Sequence, residues 1–98
     1  MRIFAKITPK PEFSDQAIDA VIDILSATRA ETGCHRFDLF TSPDRSTLYL
    51  DEEWANADAL AFHHAQPYTV AVFKSYEEWL AKPPELLELV PAAQSTGA

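Results

Sequence analysis

The stretch GCHRFDLFTSPDRSTLYLDEEWANADALAFHHAQPY, from Gly33 to Tyr68, decides the fold. Two runs within it, His35 to Phe40 and Thr47 to Trp54, alternate between apolar and polar residues as half-buried strands do. The Ser-Pro-Asp sequence between them is typical of a turn. Because this connection is short, we predict that the two strands form an antiparallel hairpin.

Two helical segments follow the hairpin. Asn56 can cap the first, roughly Ala57 to Ala65, because its side-chain oxygen can accept from a free N–H group of the first turn. Pro67 suits the first position of the second, which we expect to run to about Ala81. The helical region is therefore split at Gln66-Pro67.

The flanking segments supply a strand and a helix before the hairpin and a strand after it. Ile3 to Thr8 has the alternation of a strand, and Leu86 to Val90 is apolar enough to be one. Ser14 or Asp15 can cap the intervening helix, and Gly33 suits a left-handed position just past its end. Its apolar residues fall in two adjacent stripes at helical spacing: Ala17, Val21, Ile24 and Thr28, and beside them Ile18, Ile22 and Leu25.

The order strand, helix, strand, strand, helix, strand predicts an α+β, ferredoxin-like fold (βαββαβ, second helix split) with helices on one face of an antiparallel sheet. Residues 1–91 form the single domain, and we expect residues 92–98 to be a disordered tail.

The open face of the sheet should mix apolar and charged side chains. We assign to it Phe4, Arg36, Asp38, Phe40, Tyr49 and Leu86. Because this mixture is too apolar for a face fully in water, we predict that a second copy covers it in a homodimer. The alternative is a monomer, since scattered apolar residues are normal on protein surfaces.

Composition excludes several classes of function. The net charge is −7, with 8 Lys and Arg against 15 Asp and Glu, which disfavours nucleic acid and anionic membrane surfaces. Two glycines and no Gly-rich motif exclude a nucleotide cradle. Lys6 interrupts any leader-like apolar run, and no stretch is long enough to span a membrane. We therefore expect a cytoplasmic protein with no membrane contact.

Glu52 and Trp54 end the third strand on the face that carries Leu48 and Leu50. If this face points under the helices, desolvation raises the pKa of Glu52, which suits a residue that holds or moves a proton. The alternative is a solvated Glu52 at the rim, paired with an arginine. The Trp54 indole N–H could reach a ligand oxygen, although such a residue is more often core.

His63 and His64 are adjacent, so on a helix they point about 100° apart. The apolar pattern around them favours His63 inward, where it can move a phenolic proton, and His64 outward. An inward His63 that only bonds a backbone carbonyl is the alternative. The pair cannot hold one metal ion together from a regular helix, and we predict no metal site.

These residues also resemble the signature of the antibiotic biosynthesis monooxygenase family, over Ile3 to about Val90. The resemblance rests on Ala30-Glu31-Thr32-Gly33-Cys34, Glu52-x-Trp54, Ala59-Leu60 to His63, and Pro67-Tyr68. It implies a ferredoxin-like homodimer of the dimeric α/β-barrel type, with a pocket between sheet and helices in each subunit. Some members oxidise quinols or anthrone-type polyketides with O₂ and need no metal or flavin cofactor.

Departures from the family patterns narrow the expectation. Leu50 and Leu60 stand where the anthrone oxygenases have Asn and Tyr, and Phe73 stands where the haem-degrading members have His. The chain is most similar to the quinol-oxygenase branch, which keeps Glu-x-Trp and the helix histidine.

Our hypothesis is a cofactor-independent monooxygenase for a small aromatic substrate, a quinol or polyketide-like phenol. His63, Glu52 and Trp54 are its predicted catalytic residues. Its predicted substrate-binding residues are Tyr68, Phe73, Phe37 and Leu50. The alternatives are a non-catalytic dimeric module that binds a small molecule, and an isomerase of a small carbonyl compound.

Overall fold

The structure, a computed structural model, describes residues 1–95 and confirms the ferredoxin-like fold. Its strands are β1 (Arg2–Ile7), β2 (Cys34–Thr41), β3 (Leu48–Trp54) and β4 (Glu85–Leu89). Its helices are α1 (Ser14–Arg29), α2 (Ala57–His64) and α3 (Pro67–Trp79), with a 3-10 turn at Pro11–Phe13. The expected tail lies partly outside this description, since residues 96–98 are not covered.

The four strands form one antiparallel sheet in the order β2-β3-β1-β4. Ala5 on the central strand β1 faces Leu50 of β3 on one side and Leu86 of β4 on the other. Partners in register share a sheet face. The core lies between this face and the helices, and its buried apolar residues include Ile3, Ala5, Ile7, Ala17, Ile18, Val21, Phe37, Leu48, Leu50, Trp54, Tyr76 and Leu80.

Helix α1 buries one of its two predicted stripes completely. Ala17, Val21, Ile24 and Thr28 are all buried. In the second stripe Ile18 is buried, but Ile22 is 49% exposed, so the apolar face is narrower than expected. The predicted cap is also wrong: Ser14 is the first helical residue, and Phe13 precedes it without a side-chain cap. Asn56, in contrast, caps α2 through a 2.9 Å bond from Ala59 N–H.

Gly33 is needed for close packing rather than for a left-handed backbone. No described glycine has a positive φ; among residues 1–95 the only positive non-glycine φ, 61°, belongs to Arg45 in the β2–β3 turn. A Cβ atom added to Gly33 would lie 2.3 Å from the Cβ of Ala59 in α2. The loop before β2 therefore packs so closely against α2 that a side chain at position 33 would clash with the helix.

The open face of the sheet carries Leu87 rather than Leu86. Leu87 is the β4 partner of Phe4, whose ring stacks on Tyr49 with centroids 5.8 Å apart. Leu86, the partner of Ala5, lies on the helix-covered face, which corrects the sequence-based assignment. Phe40 and Leu87 are each 55% exposed, so this face presents apolar side chains to solvent.

Within residues 1–95, no helix is both long enough and apolar enough to cross a membrane.

Candidate functional site

A small apolar cavity of about 50 Å³ lies between the sheet and the helices. Its lining residues come from all four strands, from the three α-helices and from the segment before β4. The lining residues are Ala5, Ile7, Val21, Ile24, Phe37, Leu50, Glu52, His63, His64, Thr69, Val72, Phe73, Tyr76, Pro84 and Leu86. No Lys or Arg is among them, so the wall offers no fixed positive charge to a ligand.

Glu52 reaches the cavity from β3 and is only 5% exposed. Its Oε1 accepts a 2.9 Å hydrogen bond from the Trp54 indole Nε1–H. Burial raises the pKa of Glu52 to about 7, while the bond from Trp54 opposes that rise. Near neutral pH this carboxyl group can therefore either hold or release a proton.

The alternative in which Glu52 pairs with an arginine at the rim is wrong. Arg36 bonds to Asp38 at 3.1 Å, and Arg45 pairs with Asp15 at 3.3 Å. Both arginines are exposed, whereas Glu52 is buried. The strand alternation of β3 explains the difference, because it directs Glu52 into the layer that also contains Leu48 and Leu50.

His63 enters the cavity from α2 and is 4% exposed. Its ring stacks on Trp54, with centroids 4.8 Å apart and planes at 30°, and meets the Phe37 ring at an angle of 61°. Its Nδ1 lies 2.9 Å from Oε2 of Glu31. Within residues 1–95 the ring makes no hydrogen bond to a backbone carbonyl, so that alternative is wrong.

Glu31 is the site residue that the sequence analysis did not single out. It lies in the loop between α1 and β2, and its side chain is 5% exposed. The Tyr68 hydroxyl donates a short hydrogen bond to the same Oε2 that contacts His63. Burial and this bond raise the pKa of Tyr68 to about 12. The one sequence signal for it is the pair Glu31 and Gly33, a carboxylate two positions before a residue that permits close approach.

His64 corrects the expectation that only His63 faces inward. It is half-buried, lines the cavity, and meets the edge of Phe73 at 5.7 Å and 86°. Burial and the neighbouring His63 lower the pKa of His64. Because α2 ends at His64, its ring can turn toward α3 there.

The predicted site residues thus gather in one region but differ in their access to the cavity. Glu52, His63, Phe37, Leu50 and Phe73 line it. Trp54 lies behind Glu52 and His63, in contact with both. Tyr68 does not line the cavity; its hydroxyl contacts Glu31, and its ring centroid lies 6.5 Å from that of His63. Among residues 1–95, no three His, Cys, Asp or Glu side chains are grouped to hold a metal ion.

This arrangement brings a proton acceptor and a proton-holding carboxyl group to one apolar cavity. The unprotonated nitrogen of a neutral imidazole can accept a proton, and the pKa of Glu52 is about 7. Two such groups in a site of low polarity can remove a proton from a neutral ligand and hold the resulting oxygen anion.

Comparison with known proteins identifies the family. The profile of the family described as "Antibiotic biosynthesis monooxygenase" matches residues 1–79. A protein of Mycobacterium tuberculosis named "Putative monooxygenase Rv0793" is 30% identical over 95 residues, which cover 96% of this chain and 93% of the relative.

Solved structures agree with this comparison. The structure of Rv0793 superposes with a TM-score of 0.86 at 26% identity, covering 97% of each chain. PA3566 from Pseudomonas aeruginosa also gives 0.86, at 24% identity, with 94% of this chain and 93% of that chain covered; this likeness concerns the fold. The chain belongs to the antibiotic biosynthesis monooxygenase family.

Proposed function

We propose that this protein is a cofactor-independent monooxygenase that oxidises a small, uncharged, electron-rich phenol, either a quinol or a polyketide-like phenol, with O₂. The observation that carries the proposal is that His63 and Glu52 line the same apolar cavity. Family membership and the monooxygenase name of the relative support the reaction class. The absence of Lys and Arg from the lining favours a substrate without a carboxylate or phosphate group.

The first step is removal of a phenolic proton by the His63 imidazole. The resulting anion is a much better electron donor than the phenol. Apolar side chains such as Phe37 and Leu50 exclude water, which would otherwise stabilise the anion and reprotonate it.

The anion then passes one electron to O₂, and the substrate radical combines with superoxide to form a peroxide on the ring. Protonation and loss of water leave one oxygen atom in the product and the other in water. For a hydroquinone the balance is hydroquinone plus O₂ giving hydroxyquinone plus water. The substrate itself supplies all the electrons.

Glu52 serves this chemistry as a proton holder. Because its pKa is about 7, a substantial protonated fraction can donate a hydrogen bond to a substrate oxygen at neutral pH. Trp54 acts through Glu52, since its only indole N–H already donates to that carboxyl group.

Substrate entry requires movement at the mouth of the cavity. The cavity holds about 50 Å³, whereas an apolar protein cavity that binds benzene has on the order of 150 Å³. Phe73 and Leu86 line the cavity and are 38% and 48% exposed, so solvent lies beside both side chains. We propose that they turn outward when a phenol binds.

We also propose that the protein is a homodimer through the open sheet face. The apolar surface on this face consists of Phe4, Tyr49, Phe40 and Leu87. A second copy would remove this surface from water. This assembly leaves the cavity of each subunit on the opposite face of the sheet.

The test is O₂ uptake by metal-free protein with a hydroquinone, with ¹⁸O₂ to follow the oxygen atoms. We expect one labelled atom in the product and loss of the enhancement in His63→Ala. His35→Ala is the matched control, because His35 is exposed on β2, and it should keep full activity. Ligand-induced stabilisation with no O₂ uptake would instead indicate the non-catalytic binding module.

One observation favours a second candidate, an isomerase of an uncharged carbonyl compound. Glu52 and His63 at one cavity could move a proton between two carbon atoms. Product formation under argon would identify this activity, whereas the oxygenase gives no product without O₂.

A further inference from the structure

We propose that Glu31 is a positioning residue that holds the His63 ring as the tautomer protonated on Nδ1, so that Nε2 is the atom that takes the substrate proton. That His63 is the base that takes the substrate proton rests on the proposed function. The orientation of the ring can be measured without it.

The contact between the two side chains fixes the ring. Nδ1 of His63 lies 2.9 Å from Oε2 of Glu31, and both side chains are about 95% buried. A carboxylate only accepts hydrogen bonds, so the neutral imidazole must donate from Nδ1 and is unprotonated on Nε2. No group among residues 1–95 makes a hydrogen bond to Nε2, which leaves this nitrogen to a ligand.

The carboxylate is itself held in place. Its Oε2 receives the Tyr68 hydroxyl as well as His63, while Oε1 is buried and has no partner among the described residues. Two donors from α2 and α3 therefore determine its orientation, and solvent does not. The hydroxyl of Thr69, 3.4 Å from Nδ1, adds a weaker contact on the same side of the ring.

The backbone explains how Glu31 reaches α2 at all. Gly33 packs its Cα against Ala59, and its carbonyl accepts from Ala55 N–H at 2.9 Å. The Cys34 N–H donates to the Glu31 carbonyl at 3.0 Å, which closes the loop into a turn. The loop that carries Glu31 is thus held by packing and a hydrogen bond against α2 and the segment that precedes it.

The test uses two variants. Glu31→Leu removes the acceptor, whereas Glu31→Gln keeps a carbonyl oxygen that can accept from Nδ1. We measure the His63 tautomer by long-range ¹H–¹⁵N correlation of the imidazole ring, with His35 as the exposed reference. We expect Nδ1–H in the wild type and in Glu31→Gln, and conversion toward Nε2–H in Glu31→Leu.

Kinetics supply the second readout. We expect Glu31→Leu to lower kcat by about 10²-fold or more while KM changes by less than roughly threefold, and Glu31→Gln to restore most of kcat. If Glu31→Leu does not fold, Glu31→Ala replaces it.

Different results would contradict the role of Glu31 and the oxygenase function. An Nε2–H ring in the wild type, or an unchanged tautomer in Glu31→Leu, would overturn the role of Glu31 whatever the activity. An equal loss of kcat in Glu31→Gln and Glu31→Leu would also overturn it, because charge rather than orientation would then be what matters. The expected tautomers without any O₂ uptake would support Glu31 and refute the oxygenase.

Discussion

The indole Nε1–H of Trp54 donates to Oε1 of Glu52 across 2.9 Å, although the two residues are neighbours on one face of the same strand. This bond stabilises the charged form of a carboxylate that burial otherwise destabilises. The protonation state of Glu52 therefore depends on two opposing effects, and each can be changed by one substitution.

The first prediction concerns stability against pH. The pKa of Glu52 is about 7 in the folded protein and 4.5 in its ordinary state, so folding favours the protonated form. Its contribution is fully present below about pH 4.5 and is lost as the pH rises through about 7. At about 1.4 kcal/mol for each pKa unit, the loss is on the order of 3 kcal/mol.

Urea unfolding at pH 5 and pH 8 measures this effect. The free energy of unfolding of the wild type should fall relative to that of Glu52→Gln, which has no proton to lose at that position. Parallel pH dependence of the two proteins would show that Glu52 does not titrate in this range.

The second prediction follows from removing the donor. Trp54→Phe takes away the bond that lowers the pKa of Glu52, so this pKa should rise above about 7. The ¹³C shift of the Glu52 carboxyl group against pH gives the value directly. Trp79→Phe is the control, since Trp79 stacks on Phe13 and does not line the cavity. A fall in the pKa would contradict the assigned role of the indole.

The third prediction concerns the approach of Gly33 to Ala59. Gly33→Ala should destabilise the fold by about 1–3 kcal/mol, because overpacking forces the loop and α2 apart. Ala59→Gly makes room but costs about 1 kcal/mol through helix propensity. In a double-mutant cycle the two changes together should cost less than their sum. Strict additivity would mean that the clash is relieved elsewhere.

The fourth prediction concerns the width of the mouth. Phe73→Ala should enlarge the entrance and shift selectivity, measured as kcat/KM, from a one-ring quinol toward a two-ring quinol by about tenfold or more. Phe62→Ala is the matched control, because Phe62 is 56% exposed on α2 and does not line the cavity. Equal selectivity in the two variants would locate the entrance elsewhere.

The fifth prediction concerns assembly. Leu87→Glu places a charge among the apolar side chains of the open face and should convert the proposed dimer into monomer, as measured by light scattering after gel filtration. Ile22→Glu, a similar change at an exposed residue of α1, should leave the dimer intact. A wild-type mass equal to that of the monomer would disprove the homodimer.

The fold was predictable because its signals are local. Period-two alternation in β1 and β3, the Asn56 cap and the Pro67 start all depend on residues within one or two turns of each other. Apart from the cap of α1, the errors concern residues whose burial depends on contacts between segments far apart in the chain. Whether Ile22 is buried depends on the width of the groove beneath α1, and whether Leu86 or Leu87 faces the helices depends on the β1–β4 register.

The candidate site was predictable only in part for the same reason. Glu52, Trp54 and His63 follow strand and helix periodicity, so their inward direction could be inferred. Glu31 could not be placed, because its loop has no periodicity and its partners, His63 and Tyr68, lie 32 and 37 residues away in the chain.

The sequence by itself determined the order of the elements, favoured the inward direction of His63, and fixed the net negative charge. These properties follow from side-chain pattern and composition. Only the tertiary structure decided that Glu52 is buried rather than solvated, that Oε2 of Glu31 accepts from both the Tyr68 hydroxyl and Nδ1 of His63, and that the cavity is narrow. Such contacts are set by the packing of α2 against a glycine loop, and packing depends on distances between segments that no local pattern encodes.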